Sequence, residues 1–384
     1  MRAFVDAGAV VGITRALVAV DTQNPPGGER AAIGVARDLL APLGAAFEEV
    51  EPAPGRSSLL ATIGDGDGRR ATLLVNGHLD VVPVDRAGWT RDPFGGEVAD
   101  GRVYGRGTAD MKGGIAAAIE AVAALGRSGR EPAGDLVFHL VADEEQGGAL
   151  GTGTLVAEGR VRAHACLVPE PTGLALCIAE RGLLNAVVTV HGRPAHGSEP
   201  RRGISAIEKA AKIVLALHAA DFGGPAHPRL GRPTCNVGVI DGGSSANIVA
   251  SSCRVEINRR VLPGVTRADA EAELRARIDA IDDPELAYDM ETLVFGEASE
   301  LEPGHPFVRR LQVAMTAVLG APQPLIGMPF ATDARFVRNQ AGIPAVVCGP
   351  GDLAQAHAHD ESVSVERLVD AAAVYAELFA TFAV

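Results

Sequence analysis

Cysteine is scarce in this sequence, and its arrangement excludes two common kinds of site. The five cysteines are scattered, at Cys166, Cys177, Cys235, Cys253 and Cys348. Their odd number and the absence of a C-x-x-C pair argue against a disulfide framework and against a structural zinc knuckle. A G-x-S-x-G elbow is also missing, so the sequence does not support a serine hydrolase.

The sequence also has fewer basic than acidic residues, and it contains no long apolar run. The formal net charge is −13, which argues against nucleic-acid and anionic-membrane partners because both require a basic surface. The N-terminal stretch 1–20 is mildly apolar, but Arg2, Asp6 and Arg15 interrupt it. That pattern predicts an amphipathic helix rather than a signal peptide or a membrane span, and we expect a soluble, cytoplasmic protein.

The sequence does contain a regular alternation of predicted helices and strands. Short, almost wholly apolar runs at 71–76, 135–142 and 165–168 predict strands that are covered on both faces. The alanine-rich segment 113–125 predicts a helix between two of them. This order predicts an α/β fold with a mixed, mostly parallel sheet flanked by helices.

The pattern changes near residue 180. From 184–191 to 288–295 the predicted order is strand–helix–strand–strand–helix–strand, which is typical of a ferredoxin-like α+β domain. After about residue 300 the helix and strand alternation resumes. We therefore predict a catalytic domain at 1–179 and 295–384, with an inserted domain at 180–294.

Two polar motifs flank the predicted strand 71–76 and the alanine-rich helix. His78-Leu-Asp80 follows the strand, and side chains two residues apart in an extended chain project to the same side. His78 could therefore hold a metal while Asp80 orients its other nitrogen, although an H-x-D in a loop is commonly incidental. In Gly105-Arg-Gly-Thr-Ala-Asp110 the sixth position is a carboxylate that would repel phosphate, so a dinucleotide loop is rejected. Asp110 could bridge two cations, but acidic residues are also common at helix starts.

Three further polar groups follow predicted strands or occur late in the chain. Asp143-Glu144-Glu145 ends the strand 135–142, Glu170 follows the strand 165–168, and Ala356-His357-Ala-His359-Asp360-Glu361 comes near the end. Three acids in a row are usually a solvated turn, yet ligands bind at the carboxyl ends of the strands in open α/β sheets. If one of these acids binds a metal, its acidic neighbour gains a raised pKa and becomes a candidate base.

Oxygen and imidazole ligands without thiolate suit a pair of Zn²⁺, Co²⁺ or Mn²⁺ ions. Such a pair activates water and stabilises a tetrahedral oxyanion. The residue types therefore favour metal-assisted hydrolysis.

The five motifs together, in this order, resemble the M20 family of metallopeptidases. Its members include acetylornithine deacetylase, succinyl-diaminopimelate desuccinylase, aminoacylase-1 and carboxypeptidase G2. The resemblance extends over nearly the whole chain. It implies that Glu144 is the general base, that Asp80 supports His78, and that the bond between Asp110 and Met111 is cis. The metal ligands that it implies are His78, Asp110 as the bridge, Glu145, Glu170 and His357.

The inserted segment also resembles the family pattern. Gly192 to Pro200 looks like the lid motif, which implies that His196 steadies the oxyanion, often from the other subunit of a homodimer. Within this segment Asn247 and Arg260 resemble positions that hold the carboxylate of the substrate. Outside it, the resemblance implies that Thr332, Arg335 and Gly349 line the substrate pocket. A guanidinium fork at Arg260 suits a carboxylate. Two departures stand out, because Asn247-Ile-Val replaces the usual N-x-I-P and Asn258 replaces an acid.

The resemblance implies a hydrolase that cleaves the amide bond of an N-acyl amino acid, as acetylornithine deacetylase does. It implies two divalent metal ions, with zinc preferred over cobalt or manganese, and a homodimer formed through the inserted domain. An alternative is a dipeptidase, an aminopeptidase or a carboxypeptidase G2-like peptidase on the same centre. A non-catalytic binder that kept the fold is a second alternative, and the intact ligand set with Glu144 argues against it.

Overall fold

The computed structural model describes residues 1–66 and 68–383. The chain forms two compact units. The first consists of Met1–Ile178, Leu301–Ile326 and the chain from Thr332 onward, and the second of Ala179–Glu300 with Gly327–Ala331. Within the described residues, every helix is too short or too polar to cross a membrane.

The strands are numbered in chain order over both units. They are β1 (Ala46–Ala53), β2 (Arg56–Ile63), β3 (Thr72–His78), β4 (Glu97–Ala99), β5 (Arg102–Tyr104), β6 (Asp135–Val141), β7 (Ala165–Pro171), β8 (Leu176–Glu180), β9 (Gly182–His191), β10 (Thr234–Gly242), β11 (Ser252–Val261), β12 (Ala287–Gly296), β13 (Ser299–Glu300), β14 (Leu325–Met328), β15 (Ala345–Gly349) and β16 (Ser362–Ser364).

The α-helices are numbered in the same way. They are α1 (Ala7–Val18), α2 (Glu29–Leu40), α3 (Lys112–Arg127), α4 (Thr152–Ala157), α5 (Ala206–Leu217), α6 (Arg267–Asp279), α7 (Pro306–Leu319) and α8 (Val365–Thr381).

The first unit is built on a mixed sheet whose strands follow the order β1-β2-β6-β3-β7-β15-β8. The central pairs β6–β3, β3–β7 and β7–β15 are parallel, and the outer pairs are antiparallel. Because the central strands are parallel, their carboxyl ends lie at one edge of the sheet. His78 ends β3, Glu170 lies near the end of β7, and Asp143-Glu144-Glu145 directly follows β6.

Burial explains why these segments form strands and helices. β7 is buried at every position, and β3 and β6 are buried at all but one position each. Helix α8 packs against α3 and α7. Within α8 the buried Tyr375 donates a hydrogen bond from its hydroxyl to the carbonyl oxygen of Cys348 at 2.6 Å, which ties this helix to the end of β15.

A small three-stranded sheet positions the last of the predicted ligand loops. β16 pairs with β5 in antiparallel register, and β5 pairs with β4. β5 immediately precedes the loop that carries Asp110, and β16 immediately follows the loop that carries His357. Pairing of β5 and β16 therefore brings the two loops next to each other.

The second unit contains an antiparallel sheet of order β10-β11-β9-β12, packed with α5 and α6. Its chain order, β9-α5-β10-β11-α6-β12, is that of a ferredoxin-like α+β unit. Leu184, Val188, Ile213, Ile257 and Leu274 belong to its core. The predicted fold class, an α/β sheet with a separate small α+β unit, is confirmed.

Candidate metal centre

His78 lies at the end of β3 and is almost completely buried. Its Nδ1 is 2.9 Å from the backbone carbonyl oxygen of Asp80, so this nitrogen carries the proton that is donated to that carbonyl. Its Nε2 lies 3.1 Å from Oδ1 of Asp110 and 3.5 Å from Oε1 of Glu170. Fixing one nitrogen by a hydrogen bond leaves the other directed at the carboxylates, as metal-binding histidines require.

Asp110 joins two groups of possible ligands. Its Oδ2 lies 3.5 Å from Nε2 of His357, and the same Nε2 lies 3.2 Å from Oε2 of Glu145. The ligand atoms of His78, Asp110 and Glu170 all lie within 4.8 Å of one another, and so do those of Asp110, Glu145 and His357. One carboxylate shared by two such groups is the arrangement that a bridging ligand between two metal ions requires.

The loop that carries Asp110 is held by Glu361, which is fully buried. The Glu361 carboxylate accepts hydrogen bonds from the backbone amides of Gly107 at 3.1 Å, Ala109 at 2.8 Å and Asp110 at 3.1 Å. It also accepts a charge-assisted hydrogen bond from Nη1 of Arg106 at 2.5 Å. The bond from Asp110 to Met111 is cis, as the resemblance implied.

Two glycines let the start of α3 approach this loop and β7. A Cβ atom at Gly114 would lie 2.0 Å from the carbonyl oxygen of Pro169, the residue before Glu170. A Cβ atom at Gly113 would lie 2.2 Å from the carbonyl oxygen of Thr108. Any larger side chain would separate the helix from the elements that carry Asp110 and Glu170, because real Cβ contacts of this length do not occur.

Asp80 holds the turn that carries Glu144 and Glu145. Its carboxylate accepts hydrogen bonds from the backbone amides of these two glutamates, each at 3.2 Å, and from Nδ2 of Asn24 at 2.9 Å. Its Oδ1 is 3.6 Å from Nδ1 of His78, farther than its own carbonyl oxygen. Asp80 therefore supports His78 mainly through its backbone, while its side chain fixes the turn.

The electrostatics of the cluster show an excess of buried negative charge. Burial raises the pKa of Glu144 well above its usual range, and the charges of Glu170 and Asp333 add to this rise. Burial, followed by the charge of Asp110, raises the pKa of Glu170 to about 8. Hydrogen bonds to Asp110 and Glu145 raise the pKa of His357 to about 10.

These shifts mean that protons are retained where the metal-free cluster would otherwise be too negative. Burial alone would lower the pKa of His78, yet Glu170 and Asp110 raise it well above its usual value. A bound divalent cation would displace such protons. Three carboxylates and two imidazoles without thiolate suit Zn²⁺, Co²⁺ or Mn²⁺, so the donor set fits the predicted metal pair.

Three predicted substrate positions lie in the first unit. Arg335 donates from Nη2 to the carbonyl oxygen of Gly147 at 2.6 Å, at the end of the turn that carries Glu144. Thr332 is buried, and its Oγ1 accepts a hydrogen bond from the amide of Ala334. Gly349 packs so tightly that a Cβ atom would lie 2.2 Å from the carbonyl oxygen of Pro169. Packing against β7 is thus a sufficient reason for glycine here.

The predicted oxyanion residue His196 and the other predicted substrate positions, Asn247 and Arg260, lie in the second unit. His196 is exposed, and a hydrogen bond of 2.7 Å joins its Nδ1 to Oγ of Ser198. Gly197, next to it, donates its amide to the carbonyl oxygen of Asn247 at 2.7 Å, so these two predicted positions are close neighbours. Arg260 lies half-buried on β11, where burial and the charge of Arg181 lower its pKa.

Sequence reasoning missed three residues that hold the centre together. In the sequence Glu361 stands out only as part of a motif, and no role is assigned to Asn24. Arg56, at the start of β2, contacts both Asn24 and Asp143. An acid in the same motif as the predicted ligand His357 was a usable signal for Glu361. A single arginine or asparagine far away in the sequence gave no such signal.

Comparison with known proteins identifies the family. The family model described as Peptidase family M20/M25/M40 matches residues 74–381, which is more than half of the chain. This chain belongs to the M20 peptidase family. The predicted family is thereby confirmed, and the chain is an enzyme of a hydrolase family that depends on a dinuclear metal centre.

Curated relatives of this M20 chain carry two related names. Acetylornithine deacetylase from Proteus mirabilis is 32% identical, covering 92% of this chain and 89% of that protein. Succinyl-diaminopimelate desuccinylase from Methylobacterium nodulans is 34% identical, with 85% of each chain covered.

Solved structures of M20 enzymes share the fold. Aminopeptidase PepT from Bacillus cereus matches with a TM-score of 0.83 at 22% identity, covering 98% of this chain and 99% of that one. The M20 family metallo-carboxypeptidase from Sulfolobus solfataricus matches with a TM-score of 0.81 at 18% identity. The match covers 97% of this chain and 98% of that one. At these identities the likeness shows the fold alone.

Proposed function

We propose that this chain is a two-metal amidohydrolase that cleaves the amide bond of an N-acyl amino acid. The observation that carries the proposal is the Asp110 carboxylate, whose two oxygens face His78 and His357 in two separate ligand groups. In this proposal His78 and Glu170 would hold one metal, Glu145 and His357 would hold the other, and Asp110 would be a ligand of both. Zinc is the preferred metal.

The chemistry of such a centre follows from its charges. Two bound divalent cations would lower the pKa of a shared water and stabilise negative charge that develops on the substrate carbonyl oxygen. Glu144 takes a proton from the attacking water and returns it to the leaving amine. Burial raises the pKa of Glu144 well above its usual range, which favours a carboxylate that can take up a proton during the reaction.

The substrate class rests on relatives and on one arginine. Deacetylases and desuccinylases about one-third identical to this chain favour an acylated amino acid over a free peptide. Arg260 lies half-buried on β11, and a guanidinium fork there suits a substrate carboxylate. The lid role of the second unit, its boundaries at 180–294, the homodimer and the cytoplasmic location belong to this proposal.

A hydrolysis screen tests the proposal. Metal-loaded enzyme should release amine from N-acetyl and N-succinyl amino acids, including acetylornithine and succinyl-diaminopimelate, and a chelator should abolish this release. Free-amine dipeptides should not be cleaved. Cleavage of dipeptides without cleavage of acyl amino acids would establish the peptidase alternative instead. Metal-loaded protein that cleaves neither class would favour the non-catalytic binder.

A further inference from the structure

Arg56 makes an unusually complete set of contacts for a residue with no assigned role. Its side chain is only 11% exposed. Nη1 donates to Oδ1 of Asn24 at 3.0 Å, while Nη2 lies 3.0 Å from Oδ1 of Asp143 and 2.7 Å from Oε1 of Glu29. Glu29 is fully buried. The two outer nitrogens of the guanidinium thus hydrogen-bond to Asn24 and Asp143 and form an ion pair with Glu29.

The first route from Arg56 to the metal centre passes through Asn24. While Oδ1 of Asn24 accepts from Arg56, its Nδ2 donates to Oδ2 of Asp80 at 2.9 Å. The Asp80 carboxylate in turn accepts the backbone amides of Glu144 and Glu145. Arg56 can only donate and the Asp80 carboxylate can only accept, so together they hold Asn24 with its carbonyl oxygen toward Arg56 and its amide group toward Asp80.

The second route passes through Asp143, the residue that precedes Glu144. Asp143 adopts a left-handed backbone conformation, with φ of 74°, which residues other than glycine rarely adopt. Its Oδ1 is bound by Arg56 and its Oδ2 accepts the amide of Leu150 at 3.0 Å. The side chain of Asp143 is therefore anchored on both sides, which holds the turn in this conformation.

We propose that Arg56 is a positioning residue that fixes the Glu144–Glu145 turn by both routes. It contacts neither the predicted ligands nor the predicted base, and it acts only through Asn24, Asp80 and Asp143. The proposal rests on the proposed function, since it assigns its effect to the base and to one ligand of that site. A guanidinium is needed because its planar fork can bind several acceptors at fixed angles, which an ammonium cannot do.

A purely structural role is the competing explanation. Glu29 begins α2, so Arg56 could serve only to attach α2 to β2. In that case its loss would lower stability without changing turnover or metal binding. Arg56→Met alone is a poor test, because it leaves Glu29 and Asp143 buried without their cation and could prevent folding. Adding Glu29→Gln removes one of these charges and so lessens the cost of removing the cation; the melting temperature shows whether the double variant is folded.

The decisive experiment compares wild type, Arg56→Lys and the double variant Arg56→Met/Glu29→Gln. We measure kcat and KM on the best acyl amino acid, the dissociation constant for Zn²⁺ by competition with a chromogenic chelator, and the melting temperature. The double variant should lose about 10- to 100-fold in kcat and in metal affinity, the range typical of residues that orient ligands, with little change in KM. Arg56→Lys should recover part of both losses.

Arg37→Met is the matched control, since Arg37 lies on α2 and pairs at the surface with Glu49. It should leave turnover and Zn²⁺ affinity unchanged. If the double variant melts earlier but keeps wild-type kcat and Zn²⁺ affinity, the positioning role is wrong. If wild type binds Zn²⁺ but hydrolyses none of the screened amides, the proposed function fails, and the Zn²⁺ affinities alone then decide the role of Arg56.

Discussion

Nε2 of His78 lies 3.1 Å from Oδ1 of Asp110, although the two residues come from the end of β3 and from the residues just before α3. The other oxygen of the same carboxylate faces His357. One residue thus belongs to both ligand groups, whereas each histidine belongs to one. This difference makes the two-metal assignment testable residue by residue.

Asp110→Asn should abolish the binding of both metal ions, because the amide removes the negative charge that the two ligand groups share. His357→Ala should remove one ion preferentially and leave the other. Metal content per chain, measured by elemental analysis after gel filtration, checks both outcomes. Asp38→Asn, an exposed position on α2, is the control. An Asp110→Asn protein that retains the wild-type metal content would disprove the bridge.

Glu144→Gln should keep the metal content and lose about 10²- to 10⁴-fold in kcat, the usual contribution of a general base. The amide preserves the volume of the side chain but cannot accept the proton. Steady-state kinetics together with metal analysis separate this loss from a loss of metal. Glu158→Gln, which lies at the surface beside Arg160, is the control and should be fully active. Wild-type turnover in Glu144→Gln would remove the base assignment.

The central strands and most helices could be predicted from the sequence because burial leaves a strong pattern. The apolar run 135–142 matches β6 (Asp135–Val141), and the alanine-rich run 113–125 lies inside α3 (Lys112–Arg127). The hairpin of β1 and β2 was not predicted. Strand β1 is largely exposed and carries Glu48, Glu49 and Glu51, so it shows neither an apolar run nor a clear alternation.

Residue types at strand ends were enough to nominate the candidate ligands, because parallel strands place their carboxyl ends together. The interactions that orient them could not be predicted. Asn24 reaches Asp80 across 56 residues, and Arg56 reaches Asp143 across 87 residues. Such contacts depend on tertiary packing rather than on local pattern. The roles of the ligands, of Glu144 and of His196 stay predictions until the variants are measured.

Metal affinity should rise with pH, because binding must displace protons from the metal-free cluster. The pKa values are about 8 for Glu170 and about 10 for His357. Below the lower value both of these groups hold protons that the metal must remove, whereas between the two values Glu170 has lost its proton and His357 has not. The pKa of His78 is also raised, so this ligand adds to the protons that are displaced. Metal affinity should therefore fall most steeply as the pH drops below the pKa of Glu170. Calorimetric titration in buffers of different ionisation enthalpy counts the released protons. Heats that do not depend on the buffer would contradict this.

His196→Ala should reduce kcat by about 10²- to 10³-fold, the range seen when one oxyanion donor is lost, with a smaller effect on KM. The reason is that an oxyanion develops only in the transition state. Steady-state kinetics checks the division between kcat and KM. His191→Ala is a suitable control, because His191 is also an exposed histidine of the second unit and pairs with Asp289. A change in KM alone would contradict the oxyanion role.

Gly114→Ala and Gly126→Ala place the same methyl group at opposite ends of α3 and should have opposite effects. At Gly114 the methyl would lie 2.0 Å from the carbonyl oxygen of Pro169, so helix and strand must separate, at a cost of about 1–3 kcal/mol. Because Pro169 precedes Glu170, Zn²⁺ affinity should fall as well. At Gly126 the methyl meets nothing within 4 Å and should stabilise the helix by about 0.5–1 kcal/mol.

Chemical denaturation and Zn²⁺ competition, applied to both variants, check this pair. The expected result is a lower unfolding midpoint and weaker Zn²⁺ binding for Gly114→Ala, with neither defect in Gly126→Ala. If Gly114→Ala were as stable and bound Zn²⁺ as tightly as wild type, the close approach of α3 to β7 would not be what places Glu170. The glycines of the G-R-G-x-x-D-M-K-G-G motif would then need another explanation than helix packing.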